Sequence, residues 1–204
     1  MVGYRMHGDT IMYQLIDDVA LEISGAVLNH QSVGIWDIVR VLPKGLPTID
    51  GVLSLKSFQE RILMINLSAD ILVLETEKSY LTKTKKMSHV DARFATGLYG
   101  NELNLLLGFP RSSTKFWWLV DSGNLDDILI SKQTASVLQL PAFDSALNSQ
   151  SKNIELHIGT QQVNSDARSD DILYDGALNF ASLSQIELII NFKSLSVFIG
   201  PALK

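Results

Sequence analysis

Asp121 is the residue of this sequence best placed to do chemistry. It follows the apolar run Phe116, Trp117, Trp118, Leu119 and Val120, and it precedes Ser122 and Gly123. An acid at the end of a core strand has two readings. It opens a turn, since Asp and Gly both favour turns, or it is a carboxylate delivered to a buried site for proton transfer. Asp50 and Asp175 each precede a glycine, and that pairing reads as a turn. His7, His30, His89 and His157 show no ligand spacing, so no metal is expected. Ser122 lies outside any G-x-S-x-G pattern, and neither a P-loop nor a G-x-G-x-x-G is present, so no cofactor is expected. The chain has no cysteine, which excludes disulfides and thiolate chemistry.

The elements that must hold Asp121 are mostly short and β-like. Residues 20–24, 63–67, 70–75, 102–109, 115–120, 127–131, 154–158, 187–192 and 196–200 each read as a strand. Trp117 and Trp118 then face opposite sides of one strand, and at least one belongs to the core. Helices are few. Residues 131–140 open on a Ser cap, and residues 55–61 and 180–186 each allow one or two turns. The polar stretch 78–96 reads as a linker. Its Lys83, Lys85 and Lys86 form either a surface for an acidic partner or, preferably, a solvated connector.

With 204 residues, 46% hydrophobic and 19% charged, the chain is long and apolar enough to bury a sizeable core. A net charge of −5 argues against nucleic acid as a partner. The longest apolar run, 62–74, is broken by Asn66, Ser68 and Asp70, so no membrane span is expected. The first residues lack the apolar region of a signal peptide, and the compartment stays open.

The chain also repeats itself. Residues 48–74 align without a gap on residues 173–199, an offset of 125, with seven of 27 positions identical. The identities include Asp50/Asp175, Gly51/Gly176, Ser57/Ser182 and Asn66/Asn191. Upstream, 19–25 pairs loosely with 154–160.

An apolar run into Asp-Ser-Gly, a strand, a short helix, a hairpin, then Asp-Gly and two closing strands resembles the lobe of a retropepsin-like aspartic peptidase. The resemblance covers 98–200. Residues 1–76 resemble the latter part of such a lobe, beginning with a flap-like hairpin at 3–15. Two lobes in one chain resemble the tandem-lobed aspartyl peptidase-family proteins of bacteria. The resemblance implies an all-β, acid-protease-like double lobe: two pseudo-two-fold related retropepsin-like β-barrel units with a few short helices. Residues 1–78 would be a partial first lobe, 79–96 the linker and 97–204 the second lobe.

For function the resemblance implies an aspartic endopeptidase. Asp121 is the expected catalytic residue, with Ser122 and Gly123 supporting its loop. Two such carboxylates share a proton because like charges at that distance do not both ionise. One activates water and the other protonates the scissile carbonyl. The partner would be a peptide or protein substrate in extended form. The first repeat's own Asp-Thr/Ser-Gly falls, by the offset, ahead of Met1, and 7–10 (His-Gly-Asp-Thr) fits a flap turn instead. The second Asp is thus expected from upstream residues or from another chain, such as a homodimer partner, and these residues alone are expected to be inactive. The alternative is a catalytically degenerate homologue that binds peptides or serves as a structural module. Ser54 and Asn179 stand where the family has a glycine packed on the catalytic loop, and Asn124 replaces a small residue. A side chain at 54 or 179 is expected to disturb that loop, and these departures together suggest relaxed constraint on catalysis.

Overall fold

The computed structural model describes residues 2–4, 6–37, 49–96, 102–111, 113–138 and 151–202. The protein is mainly β with a few short helices, as the strand pattern requires. In chain order the strands are β1 (Val2–Tyr4), β2 (Thr10–Met12), β3 (Gln14–Ile23), β4 (Ala26–Ile35), β5 (Ile62–Asn66), β6 (Ile71–Leu74), β7 (Ser88–Val90) and β8 (Ala92–Thr96). There follow β9 (Leu103–Arg111), β10 (Thr114–Val120), β11 (Ile128–Ser131), β12 (Lys152–Ile158), β13 (Gln161–Asp170), β14 (Gly176–Leu178), β15 (Ile186–Asn191) and β16 (Ser196–Pro201). The α-helices are α1 (Glu77–Lys83), α2 (Lys132–Val137) and α3 (Phe180–Leu183). No helix among the described residues is long and apolar enough to cross a membrane.

The chain packs as two compact units, residues 1–59 with 96–103 and residues 60–95 with 104–204. The first unit holds two hairpins. β1 and β2 pair antiparallel at the position expected for a flap, Val2 opposite Met12 and Tyr4 opposite Thr10. β3 and β4 form a longer ribbon with register shifts between Ile16 and Leu21. A 3-10 turn at Leu55–Phe58 closes the unit's chain, capped by the Ser54 hydroxyl.

The second unit contains two sheets. One runs β12-β13-β11-β14-β10-β9-β8 and the other β6-β5-β15-β16-β7. The five-stranded sheet joins the closing strands of both repeats, and its register has a symmetry of its own. Met64 and Ile189 are equivalent under the offset of 125, and they pair with each other. On either side Ile65 pairs Leu188 and Leu63 pairs Ile190, so the β5–β15 ladder is two-fold symmetric about Met64 and Ile189. All six positions of β15 are buried. Burial on both faces explains why its middle, Leu188–Ile190, reads as a continuous apolar run and not an alternating one.

The repeated turns match as well. Asn66 and Asn191 are both buried, at 2% and 5% exposure, and each side-chain oxygen accepts backbone N–H groups of the turn that follows. Asp70 and Leu195, again equivalent by the offset, are both left-handed, at φ 55° and 52°.

Residues 79–96, expected as a linker, are structured. Thr76 caps α1, Tyr80 packs with Ile62, Met64 and Ile189, and β7 pairs with β16. Lys83 reaches the carboxylate of Glu75, which is 4% exposed, at 2.5 Å. A polar average hides these few inward residues, which is why composition alone suggests a connector. The hairpin that the resemblance implies between 131–140 and Asp175 falls partly, at 141–150, outside the described residues.

Candidate functional site

β10 is a core strand because its alternate residues Phe116 and Trp118 are buried, together with Leu119. It runs parallel to β14, with Trp118 opposite Gly176, Leu119 opposite Ala177 and Val120 opposite Leu178. β11, the next strand in sequence, lies on the far side of β14 and runs antiparallel to it. The two strands joined by residues 121–127 are therefore held apart by a third inserted between them. This crossing places Asp121 one residue beyond the last β10–β14 pair.

Two contacts seat β10 on β14, and a third, from β9, backs them. The Trp117 N–H donates to Asp175 Oδ2 at 2.7 Å. The Trp118 indole lies on Gly176, where an added Cβ would stand 2.6 Å from the ring. Phe109 meets the same indole at a centroid distance of 4.8 Å. Trp118 is thus the core tryptophan. Trp117, on the other face, carries the Arg93 guanidinium 3.8 Å above its ring. Asp175 is structural, as the Asp-Gly pattern implies.

The Asp121 loop is fixed by internal bonds. Asp121 Oδ1 accepts from Gly123 N at 3.0 Å, and its backbone oxygen accepts from Asn124 N at 3.2 Å. The Asn124 side chain accepts from Asp126 N at 3.2 Å and donates to the Asp127 oxygen at 2.9 Å. Asn124 therefore helps to build the loop.

Asn179 corrects the expectation that a side chain in the glycine's place disturbs the loop. It is 2% exposed, and its side chain caps α3 in a reciprocal box with Ser182. Its Nδ2 also donates to the Asp126 oxygen at 2.6 Å, and Phe180 N donates to the Asn124 oxygen at 2.8 Å. In place of the expected glycine, the chain has a side chain that bonds the loop to the inserted strand. Ser54, the equivalent residue of the first repeat, is likewise a cap. The cap-type residue followed three positions later by Ser was visible in the sequence (Ser54/Ser57, Asn179/Ser182), but its reach to the loop was not.

Asp121 is half-buried, with Ser122 and Gly123 exposed beside it. Burial pushes its carboxyl above the ordinary range, and the N–H groups of Gly123 and Asn124 partly offset this. A group so held keeps its proton to higher pH than a free Asp. It can donate a proton when neutral and accept one when ionised. The structure brings Asp121, Ser122 and Gly123 together as one turn, and it places Asp50 in the other unit. Among the described residues no cluster of three or more His, Asp or Glu is arranged to hold a metal. Comparison with protein families and with curated proteins finds no match to this chain.

Proposed function

We propose that this chain is part of an aspartic-type endopeptidase of retropepsin-like architecture, in which Asp121 is one half of a proton-sharing carboxylate pair. The observation that carries the reading is the crossed loop. A raised-pKa carboxylate emerges where β14 is wedged between β10 and β11, with its loop bonded to the inserted strand. The symmetric β5–β15 ladder supports a two-fold partner, because it relates the closing strands of the two repeats. Asp121 would deprotonate a bound water when ionised, and its neutral mate would protonate the carbonyl of an extended peptide. Residues 1–204 contain a single Asp-Ser/Thr-Gly, so the mate comes from another segment or another chain.

The same single copy favours a second reading, a degenerate homologue that binds peptides without cutting them. Both are tested by incubating an unfolded protein substrate with the chain between pH 3 and pH 6 over a range of chain concentrations. Cleavage that rises with the square of concentration and vanishes in Asp121→Asn supports the dyad. Cleavage that survives Asp121→Asn refutes it. Peptide binding with no cleavage at any concentration selects the second reading.

A further inference from the structure

The first unit carries an open cleft of about 710 Å³, lined by Tyr13, Leu15, Leu21, Val33, Trp36 and Val52 among others. One wall is the segment Asp50–Ser54, the repeat equivalent of Asp175–Asn179. In the second repeat that segment is β14, buried at Gly176, Ala177 and Leu178 and paired on both edges. In the first repeat the same pattern has no strand partner among the described residues. Gly51 is exposed, and Val52 is 75% exposed.

The contacts that seat β10 on β14 each have an unfilled counterpart here. Gly176 is covered by the Trp118 indole at 2.6 Å, whereas nothing lies within 4 Å of a Cβ placed on Gly51. Asp175 accepts the Trp117 N–H, whereas the Asp50 carboxylate has no hydrogen-bond partner among the described residues. Ser54, at φ −73° and ψ 146°, is already extended. Exposed apolar side chains line the cleft: besides Val52, Ile23 at 43% and Trp36 at 37%.

We infer that this cleft receives an extended strand from another polypeptide segment, one with the pattern of β10. It is apolar, has a large aromatic residue three positions before an Asp-Ser/Thr-Gly, and lies parallel to Gly51–Leu53. Its aromatic ring covers Gly51, one of its N–H groups bonds to Asp50, and its apolar residues fill the groove. Docking follows from the repeat and from the unfilled contacts. The further consequence, that the docked strand delivers the second carboxylate, rests on the proposed function.

The test is titration of a peptide with the sequence of residues 114–124, TKFWWLVDSGN, extended by a lysine tail, into the isotope-labelled full chain, followed by backbone amide shifts. The expected result is saturable shifts at 49–54 and at the cleft-lining Tyr13 and Gly34. Gly51→Leu, which fills the ring's place, and Asp50→Ala, which removes the acceptor, should each weaken binding by about tenfold, the loss of one well-made contact. Neither residue packs against the described core, so both variants fold. Absence of saturable shifts, shifts confined to the second unit, or Gly51→Leu binding as wild type would overturn the inference. So would self-association without peptide that Gly51→Leu abolishes, because the occupant would then be a second copy. Asp121→Asn should bind the peptide as wild type does. Docking without cleavage would therefore count against the dyad alone, and cleavage without docking against the cleft alone.

Discussion

Replacing Gly176 with Ala should be among the most damaging single-methyl changes in the second unit. The added Cβ would stand 2.6, 2.7 and 3.0 Å from Cδ2, Cε2 and Cε3 of Trp118. Carbon pairs rest at about 3.5–4.0 Å, so the overlap is about 1 Å. Neither side can yield readily. Trp118 is 2% exposed and backed by Phe109, and Gly176 is paired to Trp118 on one edge and to Ile130 on the other. Overpacking a dense core costs about 1–3 kcal/mol, and a clash pinned on both edges belongs at about 3. With a urea dependence of about 2 kcal/mol per molar, the midpoint should fall by about 1.5 M. The matched control is Gly51→Ala. Gly51 has no atom within 4 Å of the new Cβ and no left-handed φ, so the change should range from neutral to about 1 kcal/mol stabilising. Trp118→Leu should relieve much of the Gly176→Ala penalty in the double variant, giving a non-additive cycle. Urea unfolding of the five proteins (wild type, the three single variants and the double variant) checks this. A Gly176→Ala midpoint within 0.3 M of wild type, or an equal loss at Gly51, would refute the claim that the indole occupies the glycine's place.

Three further outcomes follow from the same geometry. Because burial raises Asp121's carboxyl, the folded chain binds that proton more tightly than the unfolded chain, and the resulting stability is lost as pH rises through the folded value. Asp121→Asn should therefore raise the melting temperature at pH 7, and the gain should shrink as pH falls through the folded value and be gone below about pH 4, the value of an unfolded Asp; a gain that grows on acidification would contradict it. Asn179→Ala should cost about 3 kcal/mol in denaturant unfolding, from the lost α3 cap and an unpartnered Asp126 oxygen. Asn179→Gly, the residue of the family pattern, should also destabilise, because glycine keeps the cap geometry but not the bond to the loop. Leu195→Gly should stabilise by about 0.5–1 kcal/mol in thermal unfolding, since a left-handed Leu carries about 1–2 kcal/mol of strain and the extra chain entropy of glycine cancels part of the gain.

Strands whose residues are buried on both faces were legible in the sequence, and β5, β10, β11 and β15 fall where the apolar runs put them, whereas the half-exposed β4 was not read. β13 was not legible. Its inward residues are Val163, Ser165 and Ala167, and two small side chains give alternation almost no hydrophobic contrast. α1 was hidden in the same way, because Tyr80 is its one buried residue amid Lys and Thr. At the candidate site, the end of β10 and the Asp-Ser-Gly turn could be read directly. The cap-to-loop bonds of Asn179 could not, because they join residues 53 apart and depend on the insertion of β14 between β10 and β11. A pattern comparison sees only that a glycine is absent, whereas the fold shows what its replacement bonds to.

The two repeats share a pattern and differ in where their neighbours come from. The closing strands satisfy each other across the β5–β15 ladder, so each repeat supplies what the other needs. The Asp-Gly segment needs the two strands on either side of the acid loop, and among the described residues only the second repeat has them, in β10 and β11. The core is divided accordingly. Of the buried apolar side chains among the described residues, only Leu28, Phe58 and Leu103 belong to the first unit. So little burial offsets little of the chain entropy of that unit. Hydrogen exchange should read this out at equivalent positions. The amides of Ala177 and Leu178, buried between paired strands, should open only with the second unit as a whole. Those of Val52 and Leu53 should exchange within about tenfold of free-peptide rates, and should slow when a β10-like strand occupies the cleft. Equal protection of the two segments in the chain alone would mean that the first repeat already has its neighbours, and the vacancy beside Gly51 would lose its meaning.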